Sequence, residues 1–89
     1  MRIKEGFVLR TIRNNHVVIG EGIDQVNFNR MLNLNDPAAY LWKKAIGKDF
    51  TTGELVNYLL ERYDVSEDIA REDSSAWVET LKAQGIIEE

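Results

Sequence analysis

The amino-acid sequence predicts an α+β fold, because segments with strand character come first and segments with helix character follow. In the first third, apolar and polar residues alternate along short segments that are bounded by turn-forming asparagines and glycines. This alternation has the two-residue period of half-buried strands. In the remainder, apolar residues recur every three or four positions behind residues that cap helices. Since the two kinds of element are segregated, we expect an antiparallel sheet beside helices rather than a parallel α/β sheet.

Three short antiparallel strands are expected before residue 35. The first covers residues 7–12, and a turn over 13–15 leads into the second at 16–19, because asparagine tolerates the left-handed backbone of tight hairpins. Residues 20–27 are predicted to form a loop, and residues 28–34 are predicted to form the third strand. Alternate residues of that strand share one face: Phe28, Arg30, Leu32 and Leu34.

Three helices are expected after the strands. An Asn or Asp cap followed by proline begins the first at residues 35–37, and Thr51 with Glu54 forms a capping box before the second. Ser66 caps the third, which runs to about residue 84. The apolar stripes of the first two helices contain Ala39, Trp42 and Ile46, then Leu55, Val56, Leu59, Leu60 and Tyr63. Sheet and helices together predict one domain over residues 1–89, a three-stranded antiparallel sheet followed by a winged-helix-like (helix-turn-helix) bundle.

The composition argues against an enzyme. The 89 residues contain no cysteine and a single histidine, whereas a zinc site needs three or four nitrogen or sulfur ligands. That histidine, His16, lies beside a predicted turn, and Thr51 and Ser66 are better explained as helix caps than as nucleophiles. We therefore expect no catalytic residues, no metal and no cofactor, and we interpret His16 as a surface residue at a strand end.

The sequence also carries no recognisable targeting segment. The charged N-terminus lacks the long apolar region of a signal peptide, and no apolar run approaches the length of a membrane span. The expected location is the cytoplasm, without a membrane partner.

A winged-helix DNA-binding regulator is the alternative function that this predicted fold raises. The net charge of −4 and the acidity of the third helix argue against it, since that helix would have to enter a groove lined by phosphates. The helix carries five acidic and two basic side chains: Glu67, Asp68, Glu72, Asp73 and Glu79, with Arg71 and Lys82. Basic residues cluster instead in the N-terminal segment, on or beside the first predicted strand: Arg2, Lys4, Arg10 and Arg13. We therefore expect no nucleic-acid partner.

Peptide binding is the other function that the pattern suggests. The core stripe of the third helix contains Ala70, Ser74, Trp77, Val78 and Leu81. A half-apolar stripe lies beside it and contains Ile69, Asp73, Ala76 and Thr80. Such a stripe is typical of a groove wall and, more commonly, of an ordinary boundary layer. The third predicted strand leaves one edge of the sheet without a partner. An extended peptide can add there as a further strand. The alternatives are that the fold protects this edge or that two copies pair through it as a homodimer.

Several segments in order resemble the PqqD family. Residues 28–35, followed by 38–42, look like its central motif, in which a Phe, a Met and a Leu-Asn pair precede a helix with an aliphatic-Trp pair. The match continues through residues 51–55 and 59–65. It also includes the opening residues 7–10 and, near the end, Ala70, Asp73, Trp77, Val78, Leu81 and residues 85–87. The resemblance covers nearly the whole chain.

This resemblance implies a non-catalytic peptide chaperone. PqqD-like domains bind the leader of a ribosomally made precursor peptide and present it to a separate modifying enzyme, often a radical S-adenosylmethionine enzyme. In the family the leader adds as a β-strand beside the third strand and packs toward the third helix. The peptide-binding residues so implied are Arg30, Met31, Leu32, Asn33, Leu34, Asp73, Trp77, Thr80, Leu81 and Gln84. Asp73 is the candidate polar anchor, and Ser74 departs from the apolar residue usual at its position. Whether the product is pyrroloquinoline quinone does not follow from the family.

Overall fold

The structure, a computed structural model, describes residues 1–21 and 32–89. Its elements in chain order are β1 (Arg2–Ile3), β2 (Phe7–Ile12), β3 (Asn15–Gly20), β4 (Leu32–Leu34), α1 (Asp36–Ala45), α2 (Thr52–Arg62), α3 (Glu67–Ala83) and β5 (Ile87–Glu88). A three-stranded antiparallel sheet of order β2-β3-β4 lies with three helices, so the predicted α+β fold is confirmed.

The β2–β3 hairpin is tighter than the sequence predicts. Strand pairing extends to Ile12 opposite Asn15, so that only two residues form the loop and β3 begins one residue earlier than expected. Arg13, rather than an asparagine, has the left-handed backbone, with φ of 59°. Because Arg13 is the first residue of a two-residue loop, the hairpin geometry imposes a positive φ there despite its side chain.

Strand β4 is one edge of this sheet, and β2 is the other among the described residues. Strand β4 pairs antiparallel with β3, with Leu34 opposite His16 and Leu32 opposite Val18. The loop predicted over residues 20–27 begins later than expected, because Gly20 pairs with Phe7 and ends β3. Residues 22–27 of that loop and residues 28–31 of the predicted third strand lie outside the described residues.

The two ends of the chain form a second, two-stranded sheet. Ile3 of β1 lies opposite Ile87 of β5, and both side chains are buried. The amino group of Met1 donates a hydrogen bond to the carbonyl of Phe50 over 3.0 Å. The last residues of the chain therefore form a short strand rather than an unpaired tail. The sequence did not predict β1, because a two-residue strand is too short to show an alternating pattern.

The predicted helix caps are confirmed. The side-chain oxygens of Asn35, Thr51 and Ser66 each accept a hydrogen bond from the backbone N–H three residues further on. The carboxylate of Glu54 accepts the Thr51 N–H in return, which completes the capping box. Gly85 follows α3 with a φ of +74°, a conformation that glycine adopts without steric cost.

The core lies between the sheet and the helices, and all five residues of the predicted core stripe of α3 are buried. Three residues of the predicted helix stripes are not buried: Ile46 is 43% exposed, Leu60 is 36% exposed, and Tyr63 is half-buried against the core. Ile46 caps α1 with extended backbone and so leaves the helical period. Leu60 lies at the margin of the α2 stripe, where the neighbouring Leu59 takes the buried place. Among the described residues, no helix is long and apolar enough to cross a membrane.

Candidate functional site

A groove of about 280 Å³ opens between the β4–α1 segment and α3. Its lining combines apolar and polar side chains: Asn33, Leu34, Asn35, Pro37, Ala38, Leu41, Leu59, Asp73, Ala76, Trp77, Thr80 and Leu81. Four of them form a buried floor: Leu41, Leu59, Trp77 and Leu81. Five others are exposed at the rim: Asn33, Asn35, Asp73, Ala76 and Thr80. An apolar floor below a polar rim can hold apolar side chains and fix their backbone with hydrogen bonds.

The groove exists because two helices present particular faces to each other. On α3, Asp73, Ala76, Trp77 and Thr80 recur at intervals of three or four residues and therefore form one continuous wall. The opposite wall begins where β4 ends, and the Asn35 cap fixes the point at which the chain turns into α1.

Trp77 belongs to both the groove and the core. Its side chain is buried, with its indole Nε1 donating a hydrogen bond to the Ala38 carbonyl over 3.1 Å. Its ring meets the Phe50 ring edge to face, with 5.8 Å between the centroids. The hydrogen bond holds α3 against the first turn of α1, so Trp77 sets the distance between the two walls.

The edge of β4 borders this groove. Leu34 is in the groove lining, and Asn33 stands at the rim. Within residues 1–21 and 32–89, β4 pairs with β3 alone, so its other edge carries backbone groups without a strand partner. An unpaired edge beside an apolar groove is a suitable site for an added strand.

The structure brings six of the ten predicted site residues to this groove: Asn33, Leu34, Asp73, Trp77, Thr80 and Leu81. Leu32 instead packs half-buried against the core, and Gln84 caps the end of α3 outside the lining. Arg30 and Met31 lie outside the described residues. Whether any of the ten contacts a peptide stays a prediction.

Sequence reasoning missed six lining residues: Asn35, Pro37, Ala38, Leu41, Leu59 and Ala76. Ala76 carried a signal, since it belongs to the half-apolar stripe of α3, whose members Asp73 and Thr80 also line the groove. Ile69 of the same stripe is 46% exposed and lies outside the lining. The α1 residues carried only helix-start signals, so no local pattern related them to a groove.

Charge within the groove is concentrated at one point. Among the described lining residues, Asp73 is the only one with an ionisable side chain. Its carboxylate is exposed at the rim and can accept hydrogen bonds from a cationic or neutral donor on a bound molecule. Beside it in sequence, the Ser74 side chain points into the core, where its hydroxyl is fully buried and has no partner among the described residues.

His16 is more deeply placed than a surface strand end. Its Nδ1 lies 2.9 Å from the Thr11 hydroxyl and its Nε2 lies 2.8 Å from an Asp36 carboxylate oxygen, which connects the hairpin to the start of α1. Thr11, His16 and Asp36 thus form a row like that of a catalytic triad, in which a hydroxyl is the nucleophile, the histidine is the base and the aspartate orients the histidine. A catalytic aspartate is buried against Nδ1 of its histidine, whereas the Asp36 side chain is 80% exposed and faces Nε2.

The described residues also contain no cluster of three or more metal-ligating side chains.

Comparisons with known proteins agree with this fold. The family model described as "Coenzyme PQQ synthesis protein D (PqqD)" matches residues 11–87. The solved structure of TbiB1 in complex with the TbiA(beta) leader peptide is similar, with a TM-score of 0.77 and 16% identity over 99% of this chain and 95% of that chain. Lasso peptide synthetase B1 complexed with the leader peptide is similar too, with a TM-score of 0.74 and 20% identity over 99% of this chain and 96% of that chain. At these identities the two structures establish the fold. No curated protein matches the sequence.

Proposed function

This chain belongs to the PqqD family, and we propose that it binds the leader of a ribosomally made precursor peptide in the groove between β4 and α3. The observation that carries the proposal is the edge of β4 beside an apolar groove, an edge with no strand partner in residues 1–21 and 32–89. Two solved structures of the same fold are complexes with leader peptides, which supports the same class of ligand here.

The leader adds to the sheet as a strand along β4. Its backbone hydrogen-bonds to the outer edge of β4, and this supplies affinity that does not depend on leader sequence. Leader side chains alternate between two directions, so every second one points toward α3 and enters the groove above Leu41, Leu59 and Leu81. The buried floor makes large apolar residues the favoured occupants, because they displace water from apolar surface.

Asp73 selects which polar side chain of the leader binds at the groove rim. It is the only carboxylate among the described lining residues, and it stands at the exposed rim. A lysine, arginine or hydroxyl side chain on the leader therefore pairs with it while neighbouring apolar residues enter the floor.

The chain acts as a chaperone without chemistry of its own. A separate cytoplasmic enzyme modifies the peptide that this chain presents, and a radical S-adenosylmethionine enzyme is the class that the family resemblance implies. No cofactor and no nucleic acid takes part. A homodimer formed by pairing two β4 edges would occupy the same edge as the leader, so the two states exclude each other.

An NMR titration tests the proposal. The probe is a synthetic leader peptide of the precursor encoded beside this gene, with a scrambled peptide of the same composition as control. We expect saturable shifts of the backbone amides of residues 32–34 and of Asp73, Ala76 and Thr80, together with the Trp77 indole N–H. Saturable binding that left these signals unchanged would place the leader elsewhere and refute the groove. A gene neighbourhood without a short precursor would argue against the class of ligand.

A further inference from the structure

A second distinctive surface lies outside the groove. We call it the aromatic-basic surface, and it is formed by Tyr40 and Lys44 of α1, Lys48 of the following loop, and Tyr58, Arg62 and Tyr63 at α2. None of these residues lines the groove. No local pattern in the sequence indicated this surface, because its six residues come from three separate segments.

The first half of this surface centres on Tyr58. The ammonium of Lys44 lies 5.6 Å from the centroid of the Tyr58 ring and 5.8 Å from that of the Tyr40 ring. The ammonium of Lys48 lies 5.4 Å from the Tyr58 centroid and donates a hydrogen bond to the Tyr58 hydroxyl over 3.1 Å. Two cations thus share one aromatic ring.

The second half centres on Arg62. Its guanidinium lies 5.5 Å from the centroid of the Tyr63 ring and 6.0 Å from that of the Tyr40 ring. The two rings meet edge to face at 86°, with 5.9 Å between their centroids. The three tyrosines are half-buried and the three cations are exposed, so rigid rings hold the charges at the surface.

The three cations lack acidic partners within the described part of the chain, although acidic residues outnumber basic ones by 15 to 11 overall. Four basic side chains elsewhere have such partners: Arg2 with Asp49, Arg10 with Glu21, Arg71 with Glu67, and Lys82 with Glu89. Lys4, Arg13 and Lys43 also lack one among the described residues, but only the three cations of the aromatic-basic surface are gathered on tyrosine rings. The surface therefore concentrates positive charge on an acidic protein. Tyrosine and arginine are also the residues that most often dominate binding energy at protein interfaces.

We propose that the aromatic-basic surface docks the chain onto a carboxylate-rich patch of the peptide-modifying enzyme. This inference rests on the proposed function, in which a separate enzyme must receive the bound leader. Because the surface shares no residue with the groove lining, the leader and the enzyme can bind at the same time. A nucleic acid fits less well, since its phosphates would extend past three cations onto a chain of net charge −4.

A matched pair of substitutions tests the docking surface. Lys44 and Lys43 are adjacent, exposed and both in the last turn of α1, but only Lys44 has ring contacts among the described residues. The probe is the modifying enzyme encoded beside the precursor gene, and its affinity is measured by calorimetry. We expect Lys44→Glu to weaken enzyme binding about tenfold and Lys43→Glu to change it by about twofold or less. Added salt should reduce the difference.

Leader affinity, measured on the same variants, separates this proposal from the proposed function. Equal leader affinity of the unsubstituted chain, Lys44→Glu and Lys43→Glu also shows that both variants are folded. If the leader fails to bind while Lys44→Glu still weakens enzyme binding, the docking surface stands and the groove proposal fails. The docking proposal is overturned if the two variants bind the enzyme alike or if the unsubstituted chain does not bind it. It is also overturned if the unsubstituted chain binds a short DNA duplex and Lys44→Glu abolishes that binding.

Discussion

The indole of Trp77 donates a hydrogen bond to the carbonyl of Ala38 over 3.1 Å, and this bond joins α3 to the first turn of α1. Both residues line the groove, so one contact serves the core and the candidate site together. The width of the groove therefore depends on the same interaction that stabilises the packing of the two helices.

Trp77→Phe should weaken both stability and leader binding. Phenylalanine keeps an aromatic ring in the core but removes the hydrogen bond to Ala38 and leaves part of the indole volume empty. We expect a loss of about 1–2 kcal/mol in the free energy of unfolding, measured by urea denaturation. Trp42→Phe is the control, because Trp42 is 2% exposed and does not line the groove. It should cost stability without changing leader affinity, and an equal loss of affinity in both variants would contradict the role given to Trp77.

Ser74→Ala should stabilise the protein. The Ser74 hydroxyl is fully buried and without a partner among the described residues, so its removal relieves a desolvation cost. We expect a gain of about 1 kcal/mol in the free energy of unfolding, including a few tenths from the higher helix propensity of alanine. Ser75→Ala isolates that propensity term, because Ser75 is exposed in the same helix. A loss of stability in Ser74→Ala would mean that the hydroxyl has a partner.

Asp73→Asn should lower the affinity for a leader that carries a basic residue. The substitution keeps the shape of the side chain and removes the negative charge at the groove rim. Because Asp73 is exposed, we expect a decrease of about three- to tenfold in calorimetric affinity, with a smaller decrease at high salt. Glu72→Gln removes an equal charge from the neighbouring position outside the groove lining and should change affinity little. If both variants weaken binding equally, the effect comes from overall charge rather than from a contact at Asp73.

The ion pair between Lys82 and Glu89 should contribute to the free energy of unfolding only above acidic pH. A hydrogen bond from Lys82 over 2.6 Å, together with its positive charge, lowers the pKa of Glu89. A carboxyl whose pKa is lowered by folding stabilises the native state above its unfolded pKa, and this contribution is lost as the pH falls through the folded pKa. In Lys82→Gln the Glu89 pKa should rise toward 4.5, as followed by NMR titration of its side chain. A pKa unchanged by the substitution would show that Lys82 is not the cause.

Much of the fold could be predicted from local patterns. The caps at Asn35, Thr51 and Ser66 and the core stripe of α3 depend on residues within one or two helical turns, so the sequence carries them directly. The α3 wall of the groove was visible for the same reason, as a half-apolar stripe, although the pattern could not distinguish a groove wall from a boundary layer.

Other features depend on contacts between residues far apart in the chain, and no local pattern encodes such contacts. The pairing of Ile3 with Ile87, the link from His16 to Asp36 and the tyrosine–cation contacts of the aromatic-basic surface are of this kind. The amino-acid sequence alone thus specified an acidic chain with an α+β pattern and a PqqD-like order of motifs. Only tertiary packing created the groove, because one wall comes from the β4–α1 segment and the other from α3, which the Trp77–Ala38 hydrogen bond joins.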